Sequence, residues 1–197
     1  MRVATFKIIS CLIVGLLPLS VQAERGEGRE FRVAMLSSHN GERARWNAPA
    51  LKWDNDLAAG AREHAAELAR SGALRHSAFA GPKAHGENLW MGTRGAFSYE
   101  QMMDMFLRER SIYTARAVPD ISTTGKWSDA GHYSQIIWRT TTSVGCGFAT
   151  GAEYDVLVCR YDPAGNVRGR RADQDAPVPK QRRTQIAFGN TGQIAGF

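Results

Sequence analysis

The clearest chemical signal in the chain lies between Ser98 and Tyr113, where Met102, Phe106 and Tyr113 mark an apolar stripe at helical spacing. Glu109 falls on the same stripe, three residues after Phe106, so a carboxylate is turned inward. An unpaired buried charge costs several kcal/mol, so Glu109 requires an imidazole, a backbone donor or a metal beside it. Two histidines could supply the imidazole. His76 follows the second helical segment, and His132 stands between Gly131 and the apolar run 133–138; a second carboxylate, Glu87, follows Gly86. Two imidazoles and two carboxylates can hold a divalent ion such as Zn²⁺, or act as acid and base around a bound water. Spacing alone does not bring the four together, and each also reads as a surface residue or a satisfied polar contact.

Other candidates are weaker. Ser77, Ser128 and Ser134 lie near these residues in sequence, but none occupies a nucleophile elbow. His64 reads as a helix-face residue, and Trp46, Trp53, Trp90 and Trp138 read as core.

The elements that must position the four residues are partly legible. Phe31, Met35 and Leu36 predict a first helix over 29–45. Asp54 or Asn55 caps a second, in which Leu57, Ala61, Ala65 and Leu68 align and Ser71-Gly72 forms the end. Residues 74–95, which carry His76, His85 and Glu87, show no sustained period and read as irregular. Ser98 with Gln101 makes a capping box for a third helix reaching about Tyr113. Runs 144–149 and 154–161 predict a hairpin. A register that places Cys146 opposite Cys159 also places Phe148 opposite Leu157, and the disulfide it allows would add about 3 kcal/mol.

The 197 residues, 43% hydrophobic, suffice for one domain with its own core. Arg2, Lys7, the apolar run 8–19 and Val21-Gln22-Ala23 read as an export signal over 1–23, cut after Ala23. Its removal takes two cations and no acid, lowering the net charge from +6 to +4. It also leaves no transmembrane segment and only Cys146 and Cys159, an even count suited to an oxidising compartment. Cations scattered among acids argue against nucleic acid as a partner. Past Val167 the chain turns polar and basic, so the domain is expected over 24–167, with a disordered tail over 168–197.

Two long segments carry a resemblance. Residues 131–141 (GHYSQIIWRTT) and 156–166 (VLVCRYDPAGN) resemble the two signatures of the CAP superfamily of cysteine-rich secretory, antigen 5 and pathogenesis-related-1 proteins. Leu36, His39, Asn40 and Arg43 resemble its first-helix pattern, Glu87-Asn88-Leu89 its central motif, and Phe106, Glu109 and Tyr113 its third-helix motif, with Phe106 where Trp is usual. The resemblance covers about 31–167. It implies an α+β fold, a three-layer α-β-α sandwich around a mostly antiparallel sheet, and a cleft tetrad of His76, Glu87, Glu109 and His132, with His85 the alternative to His76. His39 would then be structural.

The resemblance also implies an exported protein, secreted or periplasmic, that binds a lipid, sterol, peptide or envelope component, with zinc or another divalent cation as the expected cofactor. Few cysteines suggest a bacterial member. A metal-dependent hydrolase with Glu87 or Glu109 as base is the second reading. The third is an extracellular signalling or structural protein with a vestigial cleft.

Overall fold

The computed structural model describes residues 19–78 and 85–174. Their elements run α1 (Leu19–Arg45), β1 (Lys52–Trp53), α2 (Asn55–Ser71), β2 (Gly86–Thr93), α3 (Tyr99–Leu107), α4 (Gly131–Ile137), β3 (Ser143–Thr150) and β4 (Tyr154–Asp162). Most of the expected leader lies outside the described residues, and α1 begins ahead of the expected cut after Ala23. No helix among the described residues is long and apolar enough to cross a membrane.

The four strands form one sheet in the order β1-β3-β4-β2, antiparallel except for the short parallel pair β1–β3. Alternation along β4 divides the core in two. Leu157, Cys159 and Tyr161 pack with Met35 of α1, Met102 and Phe106 of α3, and α4. Val156 and Val158 point the other way, onto Ala61, Ala65 and Leu68 of α2. The result is three layers, with α2 on one face and α1, α3 and α4 on the other. Each fully buried Leu, Ile or Met in these clusters contributes roughly 1.5–3 kcal/mol of transfer free energy.

The hairpin takes the expected register, Cys146 opposite Cys159 and Phe148 opposite Leu157, and the two cysteines form a disulfide. On the opposite face of β3, Gly145 and Gly147 let α2 lie directly on the strand. A Cβ at Gly145 would stand 2.3 Å from the Ala58 nitrogen, and one at Gly147 would stand 2.1 Å from the Arg62 nitrogen.

The caps follow the sequence. Asp54 accepts the N–H groups of Asp56 and Leu57, Gly72 closes α2 at φ 63°, and Ser98 and Gln101 form the capping box of α3. Three expectations need correction. The third helix stops at Leu107 and tightens into a 3₁₀ turn, Arg108–Ser111, which carries Glu109. Residues 74–95 are not irregular throughout, for β2 pairs along its whole length with β4. Its period was hidden because Asn88, Leu89 and Trp90 are buried in succession, on both faces of the sheet. The packed body also continues past Val167. Ala172 is fully buried, its carbonyl accepts the Arg139 N–H at 2.8 Å, and the Arg170 carbonyl accepts that of Val118 at 2.9 Å. The remainder of the expected tail, 175–197, lies outside the described residues.

Candidate functional site

Glu109 enters the site from the 3₁₀ turn, where the tighter winding carries it over the start of α4. Its Oε1 lies 2.5 Å from His132 Nδ1, and its Oε2 accepts the Tyr133 N–H at 3.0 Å. The inward carboxylate therefore has both an imidazole and a backbone donor. Phe106 stacks on the His132 ring at a centroid distance of 4.7 Å, so packing fixes that ring as well. The aromatic that replaces the family's usual Trp thus lies against a site residue.

Glu87 enters from the start of β2. Its Oε1 is 3.1 Å from His76 Nδ1 and accepts the Ser77 N–H at 3.0 Å; its Oε2 accepts from Ser77 Oγ at 2.7 Å and Arg160 Nε at 3.3 Å. Burial alone would raise this carboxyl, but the His76 and Ser77 hydrogen bonds outweigh it and hold the pKa down at about 2. The same bond from Glu87 raises His76 above its ordinary value. His85, the alternative occupant, lies on the same cleft, but its Nδ1 is 3.5 Å from Asp162.

His76, Glu87 and His132 line one cleft of about 500 Å³, with Trp127, Gln135 and Asn166 around them. Of the five tryptophans in the chain, Trp127 is strongly exposed. Asn88 ties the two sides of the cleft together, since its Nδ2 donates to the His132 carbonyl and to the Tyr161 hydroxyl, both at 3.1 Å. Beneath it the buried His39 gives its Nδ1 proton to the Met35 carbonyl and accepts at Nε2 from Tyr161. Burial lowers the His39 pKa to about 4, so the ring is neutral and structural.

Arg43 anchors the far end of α4. Its buried guanidinium donates to the carbonyls of Pro49, Ile136, Trp138 and Thr141 at 2.7–3.0 Å, and burial lowers its pKa only to about 10, so it stays charged.

The four residues therefore form two carboxylate–imidazole pairs. Among the described residues, no three His, Cys, Asp or Glu side chains gather into a group that could hold a metal ion. In both pairs Nδ1 faces the carboxylate, so a neutral ring carries its proton there and its lone pair at Nε2.

Sequence reasoning undervalued His64. It is buried on α2, its Nε2 lies 3.0 Å from the Arg75 carbonyl, and the same atom is 3.9 Å from Glu87 Oε1. The signal was present. His64 is three residues after Ala61 and four before Leu68, on the apolar stripe of its helix, as Glu109 is on the stripe of α3.

Comparison with known proteins places this fold. Residues 36–161 match the family model described as the cysteine-rich secretory protein family, CAP. A pathogenesis-related protein of PR-1 type from Sambucus nigra is 28% identical over 84% of this chain and 93% of its own length. Pathogenesis-related protein 1A of Nicotiana tabacum is 34% identical over 68% and 76%. Protein PRY2 of Saccharomyces cerevisiae is 35% identical over 76% of this chain but 42% of its own. These are plant and yeast proteins, so the likeness says nothing of a bacterial source. Among solved structures, NaASP2 crystallised with Zn²⁺ superposes with a TM-score of 0.59 at 22% identity, covering 75% of this chain and 86% of that one. MpPR-1i gives 0.54 at 24% identity, covering 75% and 97%. Both share the fold, and the match over 36–161 establishes that the chain belongs to the cysteine-rich secretory protein, or CAP, family.

Proposed function

We propose that this chain is an exported binding module, secreted or periplasmic, whose cleft takes a divalent cation, zinc foremost, on His76 and His132 and presents it to an extracellular ligand. One observation carries the reading: each imidazole turns Nδ1 to a buried or half-buried carboxylate, which directs the Nε2 lone pair away from it. Carboxylates in that position orient a metal-binding histidine and raise its basicity. Glu87 and Glu109 then act behind the ligands rather than as ligands, and two protein nitrogens leave the remaining coordination positions to water or to the partner. Bound there, the ion would supply Lewis acidity and a fixed positive charge. NaASP2, a protein of the same fold, was crystallised with Zn²⁺, which is consistent with this choice of metal.

A hydrolytic reading has less support, because a general base needs a free lone pair. Glu87 already accepts four hydrogen bonds, two on each oxygen, which leaves Glu109, with one on each, as the base that reading would have to use. The partner class remains the one the resemblance implies: a lipid, sterol, peptide or envelope component.

Calorimetric Zn²⁺ titration at neutral pH tests the metal step, with the His76→Ala, His132→Ala double variant alongside. Micromolar or tighter binding that the double variant lacks is expected. Equal binding by both proteins, or by neither, would sink the proposal.

A further inference from the structure

His76 is 64% exposed, so packing does not fix its position. Its neighbours do. Ser77 is held on one side, through its N–H and hydroxyl, by Glu87. On the other side the Arg75 carbonyl meets His64 Nε2 at 3.0 Å. A carbonyl only accepts, so His64 carries its proton on that nitrogen and donates it. His64 itself has little freedom. It is buried at 6% exposure in α2, and its Nδ1 lies 3.3 Å from Glu67 Oε2, a carboxylate that also engages the Arg75 guanidinium.

From this geometry we infer that His64 is a positioning residue for His76. It clamps the backbone just before the cleft histidine, as Glu87 clamps it just after, and it stands 3.9 Å from the Glu87 oxygen that meets His76. The section of chain carrying His76 is thereby fastened to two layers of the fold, α2 and the sheet. His132 has no need of such a clamp, because its ring rests on Phe106 and its residue lies within α4. The inference deepens the proposed metal reading, but its main readout does not depend on metal.

The test uses the whole chain with His64→Gln, which can keep an N–H donor toward Arg75, and His64→Phe, which cannot. Long-range proton–nitrogen correlation spectra report the ring nitrogens of His76 and His132, and hydrogen exchange reports the Ser77 amide. In His64→Phe the His76 signals should lose the Nδ1-protonated pattern and Ser77 exchange should quicken about tenfold, while the His132 signals stay in place. Zinc affinity should fall about tenfold, the lower end for a residue supporting a metal ligand. His64→Gln should restore most of each effect. Should His64→Phe fail to fold, His64→Met, which also lacks the donor, takes its place. Unchanged His76 signals and Ser77 exchange in the donor-less variant would overturn the inference, as would equal changes at His76 and His132. A wild-type protein that binds no zinc while its His76 signals still respond to His64→Phe would end the metal reading and leave this one standing.

Discussion

The two carboxylate–imidazole pairs share one chemistry and differ in how they are held. Glu109 and His132 come from a 3₁₀ turn and a helix that meet across the site, and the His132 ring is stacked on a core aromatic. Glu87 and His76 join the start of an edge strand to a connecting segment, and hydrogen bonds alone secure the histidine. The cleft thus has one wall built by burial and one built by polar contacts. The first should fail with global unfolding. The second should fail when a single donor or acceptor is removed.

The strongest way to break the packed wall is Arg43→Leu. It leaves four carbonyls, two of them at the end of α4, without their shared donor. At 1–3 kcal/mol per unsatisfied buried group, softened by relaxation, the stability loss in denaturant titration should be about 3 kcal/mol or more. A loss below about 1 kcal/mol would show that α4 is held by apolar contacts alone.

Glu87→Gln and Glu109→Gln compare the walls directly. Each should weaken zinc binding by about 10–100-fold, because the imidazole loses its carboxylate partner and must share the one remaining acceptor oxygen with a backbone N–H. Glu87→Gln alone should release the Ser77 amide to exchange. If Glu109→Gln released it too, the walls would not be independent.

Acid separates two buried groups. His39 has a folded pKa of about 4 against an ordinary 6.5, so the unfolded chain binds the extra proton and stability falls as pH drops from 6.5 toward 4. Glu87 sits at about 2 against 4.5, so its contribution is complete above 4.5 and is lost between 4.5 and 2. Thermal melts from pH 7 to 3 should show both losses. The later one should vanish in Glu87→Gln, and if it persists there, Glu87 is not its source.

Phe106→Leu is the mildest probe. It removes the ring stack on His132 at little change in volume and should cost about 1 kcal/mol. It should also loosen His132 while leaving His76 untouched, as histidine ring spectra would report.

Much of this arrangement was legible because local rules and tertiary structure agree. Ser98 and Gln101 cap a helix wherever they stand three apart, and Cys146 and Cys159 fix a hairpin register that the flanking apolar residues also favour. Glu109 betrayed itself as a charge on an apolar stripe. β2 did not, since a strand buried on both faces loses its alternation. The closing segment 168–174 was missed for a related reason: Arg168, Arg170 and Arg171 read as solvated in the sequence, yet the backbone and the small Ala172 are drawn in. His64 obeyed the same rule as Glu109, but an imidazole on a helix raises less alarm than a carboxylate.

The bare glycines of β3 set a tolerance for the whole cleft. Because no side chain separates α2 from the strand at Gly145 and Gly147, the helix has no cushion through which a displacement could be absorbed. A methyl group added at either position would lift the helix, and His64 with it, away from the sheet that carries Glu87. The spacing between the two clamps on His76 is thus gauged by two absent side chains, far downstream in sequence and on the opposite face of the disulfide-linked strand from the larger core.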